Sequence, residues 1–377
     1  MERADHASGL AMNRRGIARF CAGLIAMLFP AGVRAATAQS VRGTEGATGV
    51  LRVDDHGMTL AERTIPWPQS ISPQARAALQ AAARRPAPPF PDPSDSDGWR
   101  NLVAQIDRDM AAYLPKPDPT VTVVTETLAG ATVHRARPHA LDVADRRLYI
   151  DIHGGGLVSG GGDFCKAGAV REAALHGVEV LSIDYRMPPG HRYPVALDDC
   201  FAVYAAEVKR RGADRIIVGG GSAGGYLTAA LMLRARDAGL PLPRAALLLS
   251  PRVDMTESGD TVATLMDIDP VLKGRLAATA LLYAGGHDLR DPYLSPLFGD
   301  LKGLPPTLLQ SGTRDLYLSN TVRMHRALRK AGVAAQLHVF EAMPHGRFFG
   351  GAPEDAALDQ ELKAFVSAHW QPLEDSA

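Results

Sequence analysis

Gly220-Gly221-Ser222-Ala223-Gly224 lies where the apolar run "RIIVG" gives way to "SAGGYLTAALMLRARDAG", a stretch of helical character. A serine with glycine two residues to either side suits a nucleophile on a sharp strand-to-helix turn, because any side chain at those two positions would clash. A glycine-rich turn with an incidental serine is the competing reading of the pentapeptide alone. The string lacks the Gly-Lys-Ser/Thr ending of one kind of phosphate-binding loop and the downstream acid of the other.

A serine hydroxyl is a weak nucleophile. It needs a base, and the base needs a carboxylate to orient it. In sheets built for this chemistry the partners follow in the order serine, acid, histidine, on loops after late strands. Asp315 follows the strand candidate "PTLLQSG", and His345 follows "QLHVFEA". Of the twelve histidines, His345 combines a post-strand position with a following glycine. Asp254, after "LLLSPRV", and Asp291, in "RDPYLSP", compete with Asp315 for the acid role.

Acyl transfer from such a serine passes through a tetrahedral oxyanion, which fixed backbone N–H groups stabilise by roughly a factor of one hundred to one thousand in rate per donor. The stretch "DIHGGGLVSGGG", residues 151–162, has six glycines and one histidine directly after an apolar run. Gly154, Gly155 and Gly156 are therefore candidate donors, with Ala223, the residue after the serine, as the other. His153 precedes the nucleophile and sits on the wrong strand for a base; it is expected to brace the loop.

Positioning these groups requires a regular frame. Beyond residue 120, short apolar runs alternate with amphipathic stretches. Eight strand candidates result: "VTVVTETL", "TVHRARP", "RRLYIDI", "VEVLSIDY", "RIIVG", "RAALLLS", "PTLLQSG" and "QLHVFEA". Helices between the later ones close on Gly212, Gly239 and Gly332. That alternation predicts a mostly parallel sheet with helices on both faces. Before it, Ser72 is a candidate N-cap with Pro73 at the first helical position of "SPQARAALQAAARR". The proline-rich "RPAPPFPDPSDSDG" breaks that helix, and "WRNLVAQIDRDMAAYL" forms a second. Residues 39 to about 70 read as an arm.

The bulk composition is that of a globular protein. The chain has 377 residues, 46% of them hydrophobic, and 41 basic residues balance 41 acidic ones. Neutral charge argues against a nucleic-acid footprint or a polybasic membrane patch. Arg14 and Arg15 precede the apolar run at 20–33, and Ala36 and Ala38 are spaced as at a cleavage site, so residues 1–38 read as an export signal. Met12 is a candidate start, and "NRRGIA" weakly matches a twin-arginine signal. Export to the periplasm or medium follows, without stable membrane insertion once the signal is cleaved. Cys165 and Cys200 then remain, each in a helical stretch; two buried free thiols are expected, a bridge being the alternative.

Four separated strings together resemble the hormone-sensitive-lipase group of α/β-hydrolases, the bacterial carboxylesterases with an HGGG loop. They are "HGGG" (153–156), "DYRMPPGHRYPVALDD" (184–199), "GGSAGG" (220–225) and "MPHGRF" (343–348). The resemblance implies an α/β-hydrolase fold with Ser222 as nucleophile, His345 as base and then acid, Asp315 as orienter, and Gly154, Gly155, Gly156 and Ala223 as oxyanion hole. It also implies that the N-terminal helices and an insertion near 254–290 cap the catalytic domain of residues 120–377, and that Asp184, Tyr185 and Arg186 hold the glycine loop in register through a buried ion pair or a hydrogen-bond network. The chain departs from the family at Leu157, usually aromatic, at Gly221, usually aspartate, and after Asp315, where a proline and a second acid are usual. The expected activity is hydrolysis of short- to medium-chain carboxylic esters, with no cofactor and no metal. Its partners are small-molecule esters, not nucleic acid, and a homodimer is left open. Lactone hydrolysis, amide or formamide hydrolysis, and a binding protein that kept the fold are the alternatives.

Overall fold

The structure, a computed structural model, describes residues 52–370 apart from 61, 63, 112, 113, 115–117, 275, 349 and 350. The expected export signal lies outside the described residues. The chain divides into two compact units, residues 1–66 and 67–377. In the first, β1 (Arg52–Asp54) and β2 (Gly57–Thr59) form an antiparallel hairpin. Its turn is closed by Asp54 Oδ1, which accepts from His56 N at 2.8 Å and Gly57 N at 3.1 Å.

The second unit is built on β3 (Val121–Leu128), β4 (Ala131–Pro138), β5 (Leu148–Ile152), β6 (Glu179–Asp184), β7 (Ile216–Gly221), β8 (Ala245–Leu249), β9 (Thr307–Gly312) and β10 (Ala335–Phe340). Each overlaps one of the eight strand candidates, with β4 and β10 starting one residue earlier and β7 running two residues further. They form one sheet in the order β10-β9-β8-β7-β5-β6-β4-β3. β4 runs antiparallel to its neighbours β3 and β6; all other pairings are parallel.

The central strands read as continuous apolar runs because both faces are covered. Alternation splits them between two cores: Ile150, Ile152 and Val218 join one cluster, Tyr149 and Ile217 the other. On the first face pack α4 (Val195–Arg211), α5 (Ala223–Asp237), α7 (Ala277–Ala284) and α8 (Leu318–Lys330). On the second lie α1 (Pro73–Ala83), α3 (Asp163–His176) and α9 (Pro353–Trp370). The glycines expected at helix ends all take positive φ: Gly212 at +88°, Gly239 at +70° and Gly332 at +80°. Cys165 and Cys200 are both buried and free.

The two N-terminal helices do different things. Ser72 caps α1, accepting from Ala75 N at 3.1 Å, and its own N and Oγ donate to Glu354 at the start of α9. α1 is thereby fastened to α9 and lines none of the cavity described below. α2 (Ser96–Ala111) instead buries Trp99 and Leu102 against Ala278 and Leu282 of α7 and Val158 of the glycine loop. A short helix, α6 (Asp260–Thr264), completes the 254–290 insertion.

Candidate active site

The strand-to-helix turn at the end of β7 holds Ser222 at φ +56°, ψ −115°, a strained conformation for a residue with a side chain. Its flanking glycines are required by space. A Cβ on Gly224 would lie 1.8 Å from Ile152 O, and one on Gly220 would lie 2.4 Å from the same oxygen. Gly221 is different, since a Cβ there meets nothing nearer than Leu249 O at 3.8 Å. The position where the family usually has aspartate is thus sterically free.

His345 follows β10 and is almost fully buried. Its Nδ1 is 2.9 Å from Asp315 Oδ1, while its Nε2 has no partner. Ser222 and His345 line the same cavity. Asp315 is fully buried and well satisfied: Oδ2 accepts from Ser311 Oγ at 2.6 Å and Oδ1 from Tyr317 N at 2.9 Å. Burial opposes its ionisation, but the His345 charge and hydrogen bonds from His345, Ser311 and Ser250 hold the carboxyl below its usual range. Burial likewise opposes charge on His345, and the attraction and hydrogen bond of Asp315, then Asp269, outweigh it and raise the imidazole above its usual value. The competing acids are engaged elsewhere. Asp254 accepts from Thr256 and Ser258 and pairs with Arg323 of α8, and Asp291 accepts from Tyr293 N.

The glycine loop packs directly on the turn. Gly154 is close enough to Ser222 that a Cβ there would lie 3.5 Å from the serine Cβ. Gly155 and Gly156 take φ of +112° and +65°. Among the described residues, the amides of Gly154, Gly155 and Gly156 donate to no protein acceptor. The Ala223 amide, first in α5, has no intrahelical partner either. The structure thus gathers all four expected donors beside the serine.

The loop is braced from behind. His153 Nδ1 is 2.7 Å from Gly154 O, its ring stacks on Tyr185 at 4.1 Å, and Tyr185 Oη donates to His153 O. Asp184 Oδ2 accepts from Gly162 N. Arg186 forks onto Asp199 with its side chain half exposed, so of the two expected forms the loop is held by the hydrogen-bond network of Asp184 and Tyr185 rather than by a buried ion pair.

Three contributors escaped the sequence reading. Asp269, from the insertion, is fully buried; it accepts from Leu316 N at 2.8 Å and Val271 N at 2.9 Å, and one of its carboxylate oxygens lies within 4.8 Å of an Asp315 oxygen and a His345 ring nitrogen. Burial, reinforced by the Asp315 charge, raises its carboxyl. Tyr317 packs edge-on against the His345 ring at 5.3 Å. Arg252 lines the cavity with its guanidinium tied to Thr279, Glu257 and Leu276 O. No local motif marks Asp269 in "LMDIDP", and only the tertiary fold brings it to the histidine.

The cavity measures about 630 Å³. Phe90, Ile106, Val271, Leu272 and Leu276 supply apolar lining from segments that sequence reading assigned to a cap. Leu157 takes φ +69°, is fully buried in the main core and does not line the cavity. The departure from the usual aromatic there therefore leaves the pocket wall untouched.

Residues 149–349 match the alpha/beta hydrolase fold family. The chain belongs to that family. Within it the chain falls in the hormone-sensitive-lipase group. It is 29% identical over 238 residues to an esterase of Acinetobacter venetianus, covering 62% of this chain and 78% of that one. An acetyl-hydrolase of Streptomyces hygroscopicus is 33% identical over 205 residues, covering 53% of this chain and 68% of its own. Among solved structures, one esterase superimposes with a TM-score of 0.74 at 36% identity, over 84% of this chain and all of the other. An esterase from the bacterial hormone-sensitive lipase family gives 0.70 at 28% identity, over 80% of this chain and all of the other.

Proposed function

We propose that this carboxylic ester hydrolase cleaves short- to medium-chain esters through an acyl-enzyme formed on Ser222. One observation carries the reading. His345 Nδ1 is bonded to a buried Asp315 while its Nε2 is left without a partner at the cavity that Ser222 lines. A neutral imidazole so oriented accepts the serine proton as Oγ attacks the acyl carbon, and the imidazolium is stabilised by Asp315. The oxyanion forms against the free amides of the glycine loop and Ala223, each contributing about 3 kcal/mol. His345 then returns the proton to the departing alkoxide. A water molecule activated by the same nitrogen releases the acid.

The apolar lining and moderate volume of the cavity favour a compact acyl or alcohol group over a long chain. The test is hydrolysis of p-nitrophenyl butyrate by the wild type and by Ser222→Ala. A loss of at least about a thousandfold in kcat/KM is expected. Equal trace activity in both would overturn the reading and direct attention to lactones, amides or a binding role. We also propose export, on the residues around Arg14 to Ala38; fractionation of cells expressing the full chain, with N-terminal sequencing of the product, checks it.

A further inference from the structure

A second cluster of chemically able side chains lies behind the glycine loop. It joins three elements: His153 after β5, Cys165 in the first turn of α3 and Asp184 at the end of β6. Their ligand-capable atoms lie within 4.8 Å of one another. Cys165 and Asp184 take no part in lining the cavity. The hydrogen on His153 Nδ1 is fixed by Gly154 O at 2.7 Å, so Nε2 carries a lone pair; it is buried and has no partner. A second orphan adjoins it. His134 Nε2 is buried without a hydrogen bond, 3.6 Å from Asp184 Oδ2, while its Nδ1 is held by Thr125 Oγ1 at 2.9 Å. Gly161 leaves room for Asp184 in this position, since a Cβ there would lie 2.5 Å from Oδ1 and push the carboxylate aside.

We propose that His153 Nε2, Cys165 Sγ and an Asp184 carboxylate oxygen form a three-ligand zinc site, with His134 as the outer partner that orients Asp184. The donor set is the argument. Sulfur, imidazole nitrogen and carboxylate oxygen are the ligands a divalent zinc ion takes, and three protein ligands leave a fourth position for water. On binding, the S–H bond of Cys165 breaks, an S–Zn bond forms and the proton leaves to solvent. Thiolate and carboxylate then cancel the two charges of the ion, so no net charge is buried. Zinc–ligand distances of about 2.0–2.3 Å put bound donors roughly 3.5 Å apart, so the three close on one another by up to about 1 Å, and Asp184, the partly exposed member, is the one open to solvent.

Occupancy has a consequence for catalysis. His153 carries the Gly154 carbonyl on its other nitrogen, so drawing the ring toward Cys165 displaces the oxyanion amides. Zinc then acts as a reversible inhibitor from behind the site. That consequence rests on the esterase reading; the binding does not.

The test uses the full chain, stripped of metal by chelation and titrated with cobalt(II) and then zinc. The expected result is a thiolate-to-cobalt charge-transfer band saturating at one equivalent and erased by zinc. Cys165→Ala removes the band and Cys200→Ala keeps it. His134→Gln weakens zinc binding by about tenfold or more. Cys165→Ser, closer in volume, repeats the test should the alanine variant lose its circular dichroism. Binding strengthens from pH 6 to pH 8 because a thiol proton must leave. The absence of a thiolate band overturns the proposal, as does equal zinc retention by wild type and Cys165→Ala. Thiolate-free binding that persists in Cys165→Ala would place the ion at His345, Asp315 and Asp269 instead, and also overturns it. Ester hydrolysis in the presence of zinc and after chelation is read separately, so failure of the catalytic reading leaves the metal titration intact.

Discussion

Asp269 shows how a single buried charge reaches the chemistry without touching it. It shares the His345 surroundings with Asp315, the Arg252 guanidinium and the Tyr317 ring, and it helps raise the imidazole. A raised base requires higher pH before it is neutral and able to accept a proton, so kcat/KM falls as pH drops through that raised value. Asp269→Asn removes one negative charge and lowers the base. The acid limb of the kcat/KM profile should therefore move to lower pH. A profile unchanged in position, with only its height reduced, would assign Asp269 to loop architecture alone. Its carboxylate does hold Leu316 N and Val271 N. Ser222, Asp315, His345 and the glycines were legible in the sequence because strand-end position and chain order identify them. Asp269 and Arg252 were not, because their contact with the site is made between segments far apart in the chain.

The turn between β7 and α5 separates glycines that space demands from one that it does not. Gly224→Ala drives a methyl into Ile152 O at 1.8 Å, against backbone that is itself fixed by two parallel neighbours. Overpacking against backbone of that kind is expected to cost more than about 3 kcal/mol in a urea titration. Gly221→Ala should stay within about 1 kcal/mol of the wild type, since its Cβ makes only an ordinary contact with Leu249 O at 3.8 Å and its φ is not positive. All eight strands were readable because buried parallel strands are apolar on both faces, a signal that needs no partner to interpret. The helices before the sheet were readable as helices but not as to where they pack. Nothing in "SPQARAALQAAARR" says that Glu354 will accept from Ser72 and fasten α1 to α9, leaving α2 alone to pack on α7.

At the scale of the whole unit, stability depends on a partly buried carboxyl on the sheet face that α3 and α9 cover. Asp151 is pushed up to about 7, chiefly by burial and then by the Glu172 charge, while Ser182 Oγ donates to it at 2.6 Å. An unfolded aspartate ionises near 3.9, so this raised carboxyl favours the folded state below about pH 4 and loses that contribution as pH rises toward 7. Asp151→Asn should then leave stability unchanged near pH 4 and raise it by up to about 3 kcal/mol at pH 8, read as urea midpoints. Equal midpoints of the two proteins at pH 8 would mean that the carboxyl ionises in the fold at its ordinary pH, without the penalty that burial imposes.

The chain order of the site sets one more property. Ser222, Asp315 and His345 stand after β7, β9 and β10, with the last docking only along β9 at the sheet edge. A refolding molecule can therefore have most of its helices, its central strands and its serine in place and still turn over nothing. Recovered turnover should lag behind recovered helical ellipticity, reporting the arrival of the final strand, while a chain cut short of residue 340 should collapse and remain inert.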